Sequence, residues 1–364
     1  MKKRVLVWMS WWVDSAVSAY LLKKEGYDVA CWFMKNYVSE EENCPTREDR
    51  DEAIKVSQYL WIKEFMIFDF REEYDKKVVQ YIYEGYKSWI TPNPDILCNS
   101  EIKFKIFLEH SMKLWFDYIA TWHYARIEKT EADWKWVWAA SKKGLKYRYK
   151  LLKWVDPSKD QSYFLAWLDN DQLSKSLFPI WHLLKSEVRK IAEEIGLPNA
   201  KRKDSQWICF VWKVDMHKFL EKKIPTKNGQ ILDTNGKVVW EHNWAWFFTI
   251  GQRKWIKIWW WPALFVVNKD VEKNVIVVWD EKDLELYSKN LTLRNWHWIG
   301  KEYTFPLDCK AKIRYRQEDQ DVRLSDIGKW KIIADFANNQ RAITSGQILA
   351  AYIWDELIWS WVIE

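Results

Sequence analysis

Arg4-Val5-Leu6-Val7, Trp8-Met9, Ser10-Trp11-Trp12-Val13-Asp14-Ser15 and then Ala16, Val17, Ala19, Tyr20 and Leu21 before Gly26 form the stretch that decides the fold. A β-branched apolar run, a turn and a helical spacing that stops at glycine read as strand, loop and helix. The rhythm repeats: Tyr27 to Met34 reads as a strand, Arg47 to Tyr59 as a helix, Glu64 to Phe70 as a strand and Glu72 to Lys87 as a helix. This alternation predicts an α/β fold whose parallel sheet carries helices on both faces. Residues 91 to 105, TPNPDILCNSEIKFK, interrupt it with two prolines and resume as an amphipathic helix leading to a strand from Tyr118 to Thr121. Such a loop belongs outside the carboxyl ends of the strands, where α/β sheets bind ligands.

At 364 residues the chain suits two or three domains. Helical spacings at Asp171 to Ser176 and Lys185 to Ile195 close the first domain near 205. Beyond it the pattern shortens into strands and turns, with Asn228-Gly229 and Asn235-Gly236 as hairpin signals. The expected division is 1–205, a small central α+β domain over 206–283, and a C-terminal β-barrel over 284–364. The formal net charge of +6 permits a polyanionic partner without requiring one. No apolar run reaches the roughly 18 residues of a membrane span, and Met1-Lys2-Lys3-Arg4 leads into a strand without a cleavage site, so a cytoplasmic protein with no membrane partner is expected. The cysteines Cys31, Cys44, Cys98, Cys209 and Cys309 are scattered, without a C-x-x-C pair, which argues against a disulfide scaffold or zinc ribbon; no dedicated metal site is expected.

One feature of the composition is anomalous. A chain of this length ordinarily holds roughly 25 glycines, yet this one has 10, against 30 tryptophans. Tryptophan also sits where turns want glycine: Trp11-Trp12, Trp259-Trp260-Trp261 before Pro262, and Trp359 and Trp361 around Ser360. Translating UGA as tryptophan in a lineage that reads it as glycine would produce this pattern. UGG codons at Trp11 and Trp12 would contradict that reading.

Three motifs carry chemistry. Ser10 to Ser15 stands at the first strand-to-helix turn, where backbone N–H groups, hydroxyls and the helix dipole gather phosphates. Taken alone, Ser10 or Asp14 is equally a plain helix cap. In Thr91-Pro92-Asn93-Pro94-Asp95-Ile96-Leu97-Cys98-Asn99, followed by Glu101-Ile102-Lys103-Phe104, a cysteine at a helix start suits a thiolate nucleophile or a buried structural thiol. Lys203-Asp204-Ser205-Gln206-Trp207-Ile208-Cys209-Phe210 holds a second thiol, with the same two readings.

In this order the three motifs resemble the SGGVDS, PNPDxLCN and DSQGICF blocks of the tRNA-specific 2-thiouridylases, a family of N-type ATP pyrophosphatases. The similarity runs over nearly the whole chain, through Phe33-Met34-Lys35-Asn36, Ala120 to Arg126, Asp156 to Phe164, Thr249 to Lys254 and Ala311 to Arg316. At Trp11, Trp12, Trp122, Trp207 and Trp255 the family pattern has glycine.

The resemblance implies an N-terminal domain of the HUP, or adenine nucleotide α-hydrolase, type. It also implies ATP with Mg²⁺ and adenylation of the wobble uridine's C2 oxygen, followed by sulfur displacement of AMP to give 2-thiouridine and pyrophosphate. Carried over, Trp8, Met9, Ser10, Trp11, Trp12, Val13, Asp14, Ser15, Met34 and Trp122 line the ATP site. Cys209 carries sulfur as a persulfide received from a donor protein, Cys98 attacks it with a Cys98–Cys209 disulfide as the product, and Asp95 is the general acid or base. Asn93, Pro94 and Asp95 contact the target base; His123, Lys159, Asp160, Gln161, Arg314, Tyr315 and Gln347 make further tRNA contacts. Two rivals stand beside this reading. One is an ATP pyrophosphatase acting on a small molecule, which would need neither thiol. The other is a tRNA-binding protein whose catalysis is impaired by real tryptophans in the ATP loop.

Overall fold

The computed structural model describes residues 2–35, 46–131, 147–202, 216–224, 226–253, 263–270, 272–282, 284–299 and 303–364. The first unit is a five-stranded, fully parallel sheet of β1 (Arg4–Trp8), β2 (Asp28–Lys35), β3 (Phe65–Asp69), β4 (Tyr118–Ala120) and β7 (Ser176–Leu177), in the order β3-β2-β1-β4-β7. The residues of β1 explain the two layers. Val5, Val7 and Met9 pack on one face with Ala16 and Val17 of the helix Val13–Lys24, Ala53 and Val56 of Thr46–Tyr59, and Val188 and Ala192 of Lys185–Glu194. Leu6 and Trp8 pack on the other face against Val78, Ile82, Ile102 and Phe107. A strand buried on both faces needs the continuous apolar run that its sequence has.

Chain order reverses between β1 and β4, which opens a crevice at their carboxyl ends, the usual ligand position in such sheets. The loop after β1 and the segment 91–106 both reach that end. The helix after Asn93 begins with Pro94–Leu97, continues as a π-helix over Cys98–Ile106 and ends in α form at Phe107–Lys113.

The central unit is a four-stranded sheet of β8 (Gly229–Leu232), β9 (Val238–His242), β10 (Phe265–Asp270) and β11 (Val275–Trp279). Asn235-Gly236 makes the expected hairpin, with Gly236 at φ +81°. Asn228-Gly229 does not. Gly229 starts β8, and a Cβ there would lie 2.0 Å from the carbonyl oxygen of Asn274, so this glycine permits a close backbone approach.

The C-terminal unit is a closed six-stranded barrel of β12 (Tyr287–Trp298), β13 (Leu307–Lys312), β14 (Gln320–Asp326), β15 (Ile332–Arg341), β16 (Ile348–Ile353) and β17 (Glu356–Ile363), sealed by β12 against β17. Two strands from the first half of the chain, β5 (Arg126–Glu131) and β6 (Tyr147–Leu152), extend it. Leu151 and Leu152 pair with Leu357 and Glu356 of β17.

Candidate functional site

At the head of the helix Val13–Lys24 the two serines are bonded to each other. The Ser10 amide donates to Ser15 Oγ at 3.1 Å, the hydroxyl oxygens are 2.9 Å apart, and the Trp12 amide donates to Ser10 Oγ at 3.3 Å. Asp14 is fixed from outside the loop, accepting from Tyr124 Oη at 2.8 Å and from Lys185 Nζ at 2.5 Å. Asn199 Nδ2 donates to the Trp11 carbonyl at 3.1 Å. Met9 and Met34 are buried at the ends of the neighbouring strands.

Indoles surround the loop and the β1 and β4 carboxyl ends. Trp8 and Trp122 meet edge to face with ring centroids 6.5 Å apart, and Trp11 and Trp12 lie 5.5 Å apart with the Arg202 guanidinium over both rings. A phosphate chain needs close approach to bare backbone N–H groups, and the loop carries bulky side chains at Trp11 and Trp12 where that approach would be made. The polar frame of a nucleotide loop is present, but its surface does not fit ATP.

Beside the crevice lies the 93–103 segment. Asn93 caps its helix by accepting the Ile96 amide at 3.3 Å, and Pro94 supplies a preset φ at the first turn. Asp95 and Cys98 follow at a spacing of three, one helical turn apart. Loss of hydration around Asp95 raises its pKa to about 7, against a lowering influence from Lys103. Cys98 is buried, 4% exposed.

Lys103 is a residue that the sequence reading left without a role. It lies in the π-helical segment Cys98–Ile106, between the buried Ile102 and Phe104. The side chain is 5% exposed, with Nζ 5.7 Å from the Trp8 ring and 5.9 Å from the Trp122 ring. His123 stands in the same neighbourhood, its Nδ1 2.8 Å from Thr121 Oγ1, and burial with the nearby Lys103 charge pushes its pKa well below the usual range. It is therefore a neutral imidazole. The only hint of Lys103 in the sequence is a charged residue among the apolar positions of Ile102, Phe104 and Phe107.

The expected RNA-contacting residues separate into groups. Asn93 and Gln347 meet directly, Asn93 Nδ2 donating to Gln347 Oε1 at 3.3 Å. Gln161 Oε1 accepts the Tyr124 amide at 3.0 Å and so braces the residue that holds Asp14. Tyr315 packs on Phe164 with ring centroids 4.3 Å apart, and Arg314 donates to the Arg341 carbonyl. Lys159 ends a short 3-10 turn, Pro157–Lys159. Asp160 differs from the others because its side chain points inward. Its carboxylate accepts from the amides of Trp154 and Ser162 and from the Ser162 hydroxyl, 3.7 Å from Lys312 Nζ. Buried in this way, Asp160 ties the barrel strand β13 to the first domain. Cys209, with Trp207 and Trp255, lies outside the described residues. Among the described residues no group of three or more His, Cys, Asp or Glu side chains could hold a metal ion, and no helix is long and apolar enough to cross a membrane.

Three family models match in succession: a tRNA methyl transferase HUP domain over residues 3–213, a tRNA methyl transferase PRC-barrel domain over 217–280 and an aminomethyltransferase β-barrel domain over 288–363. The chain is 41% identical to the tRNA-specific 2-thiouridylase MnmA of Shouchella clausii, covering 99% of this chain and 96% of the relative. It is 40% identical to that of Karelsulcia muelleri, covering 100% and 99%. To that of Bacillus subtilis it is 39% identical, covering 98% and 93%.

Proposed function

The chain belongs to the tRNA-specific 2-thiouridylase family, and from that premise we propose that sulfur is placed on the target uridine beside Asp95 and Cys98. The enzyme is a tRNA sulfurtransferase that thiolates the wobble uridine at C2. The observation that carries the assignment to this cleft is a convergence. The buried Lys103 acts electrostatically on both Asp95 and His123, Cys98 follows Asp95 by one helical turn, and Asn93 is held by Gln347 from the barrel.

Each side chain has work suited to its state. With its pKa near 7, Asp95 can both release and take a proton at neutral pH, as needed at N3 or O2 of a uracil that loses and regains a proton. In thiolate form, Cys98 bonds to the Cys209 sulfur of a persulfide, breaks the sulfur–sulfur bond and releases hydrosulfide, leaving a Cys98–Cys209 disulfide. A donor protein supplies the persulfide sulfur. Neutral His123 offers hydrogen bonding without adding charge. Asn93 and Pro94 face the base, which must leave its stack to reach this depth. Arg314, Tyr315, Lys159, Gln161 and Gln347 continue the RNA surface over the barrel, where guanidinium groups hold phosphate and an aromatic ring stacks on an unpaired base.

This family of ATP pyrophosphatases uses ATP, with Mg²⁺ as its companion, to turn the C2 oxygen into a leaving group. In this chain, indoles at 8, 11, 12 and 122 stand beside the loop that Ser10 to Ser15 and Met34 would line, where the family's phosphate approach needs small residues. That observation favours a second reading for this polypeptide alone: it binds tRNA without thiolating it. The site lies in a protein we place in the cytoplasm.

The test is thiolation of tRNA, with AMP release, by the full chain carrying glycine at 8, 11, 12 and 122, beside its Cys98→Ala and Cys209→Ala variants. Thiolation lost in both variants is expected. Full activity in either one removes the proposed sulfur route.

A further inference from the structure

We infer that nine tryptophans, at 8, 11, 12, 61, 89, 115, 122, 330 and 354, stand where the working protein has glycine, and that its nucleotide crevice opens only with glycine at 8, 11, 12 and 122. Five of the nine rest on backbone conformation alone. Trp61, Trp89, Trp115, Trp330 and Trp354 have φ of 54°, 65°, 63°, 62° and 53°, the left-handed region that favours glycine.

The helix ends make the comparison internal to the chain. After the helix Val13–Lys24, Gly26 donates to the carbonyl of Lys23 and Tyr27 to that of Leu22. After Lys185–Glu194, Gly196 donates to Glu193 and Leu197 to Ala192. These are Schellman endings with glycine at the left-handed position. Three further helices close with the same pair of bonds: Trp61 to Gln58 and Ile62 to Ser57, Trp89 to Tyr86 and Ile90 to Gly85, Trp115 to Met112 and Phe116 to Ser111. One motif therefore recurs five times, with glycine in two copies and tryptophan in three.

The side chains agree with the backbone. Trp61, Trp115 and Trp354 are 84%, 85% and 90% exposed, so their indoles gain almost nothing by burial. Among other described tryptophans, the buried indole N–H groups of Trp32, Trp154, Trp167, Trp244, Trp246, Trp359 and Trp361 have no hydrogen-bond partner, whereas folded proteins nearly always satisfy such donors. Position 8, 11, 12 or 122 with glycine would expose bare backbone to the crevice, and Lys103 would then face the opened space rather than two π faces.

A decoding table that reads UGA as glycine accounts for all nine at once, because the ordinary assignments of UGG and the alternative reading of UGA as tryptophan produce the written chain. In a host that stops at UGA, the native gene would end at its first such codon. The inference about 8, 11, 12 and 122 rests on the ATP-site reading; the other five positions do not.

Two measurements test the two halves separately. Peptide mass spectrometry of the protein purified from its native cells should read glycine at all nine positions, and tryptophan at any of the five left-handed positions overturns the inference. Calorimetric ATP binding is then compared between the full chain as written and the full chain with glycine at 8, 11, 12 and 122. The glycine chain should bind ATP at least about a hundredfold more tightly; equal affinity overturns the claim about the crevice. As a control on folding, glycine at 61, 89, 115, 330 and 354 should raise the unfolding midpoint by about 5 °C or more. A lowered midpoint counts against the backbone argument.

Discussion

Gln347, in the turn before the next-to-last barrel strand, holds the residue that opens the reactive helix: it accepts from Asn93 Nδ2 at 3.3 Å while donating to the Thr91 carbonyl at 2.9 Å. The neighbouring Gly346, at φ +88°, has no room for a Cβ, which would lie 2.8 Å from Ile90 and 2.9 Å from the Thr91 carbonyl. Gln347→Ala should therefore cost about 1 kcal/mol of stability for the lost bonds. It should weaken thiolation more than it weakens folding, because it frees the loop that presents Asn93 and Asp95. Urea unfolding alongside single-turnover thiolation checks this; unchanged thiolation with a normal midpoint would show that the clasp is only structural.

Asp95 gives a pH prediction. Its folded pKa, about 7, lies above that of an unfolded aspartate, so the folded state holds more protons between those values and stability falls as pH rises from about 4 to about 7. Asp95→Asn should remove that slope and make the protein more stable at pH 8, by roughly 2–4 kcal/mol. Thiolation by the glycine-bearing enzyme should lose its pH-dependent limb near 7 in the same variant. A parallel stability profile for both proteins would show that burial does not perturb this carboxyl.

Lys103 lowers the pKa of Asp95, so Lys103→Met should move the limb upward in pH, and Lys103→Arg should restore it most of the way. The same change should raise the basicity of His123, which the lysine charge suppresses. NMR titration of the His123 ring reads this without catalysis. An unmoved limb and an unmoved imidazole would separate Lys103 from the site's electrostatics.

The pair of Lys185 and Asp14 is the best-shielded ionic contact of the nucleotide loop, with side-chain exposures of 13% and 14%. Lys185→Met leaves the carboxylate with the Tyr124 hydroxyl at 2.8 Å. The expected loss is about 1–3 kcal/mol, below the figure for fully buried pairs. It should be partly recovered in the double variant with Asp14→Asn. A double-mutant cycle by chemical unfolding measures the coupling, and additive losses would mean that the contact contributes nothing of its own.

Much of this architecture was legible in the sequence, for physical reasons. The interior strands at Arg4 and Asp28 are buried on both faces, and continuous apolar runs announce such strands; the edge strand at Phe65 is only half-buried but keeps an apolar run. Arg126-Ile127-Glu128-Lys129-Thr130-Glu131 has no such run, since its strand lies at an edge with one exposed face, and it was not foreseen. Asn228-Gly229 carries the letters of a hairpin but serves a close contact with Asn274, which no local pattern encodes. Among candidate site residues, family likeness named Asn93 and Gln347 separately, but their direct meeting was not foreseen, because a spacing of 254 positions leaves no periodic trace. Lys103 went unread because its neighbours Trp8, Trp122 and His123 come from other elements, far along the chain. The structural duty of Asp160, whose carboxylate accepts from Ser162 and Trp154, was likewise not visible in the sequence.

The strand β17 closes the barrel against β12 and at its other end pairs with β6 from the first half of the chain. A strand hydrogen-bonded on both sides does not pivot easily. The barrel is thus braced by strand pairing to the first half of the chain. On the proposed reading, a uridine reaching Asp95 comes from RNA lying on a barrel braced in this way, so bending falls largely on the RNA.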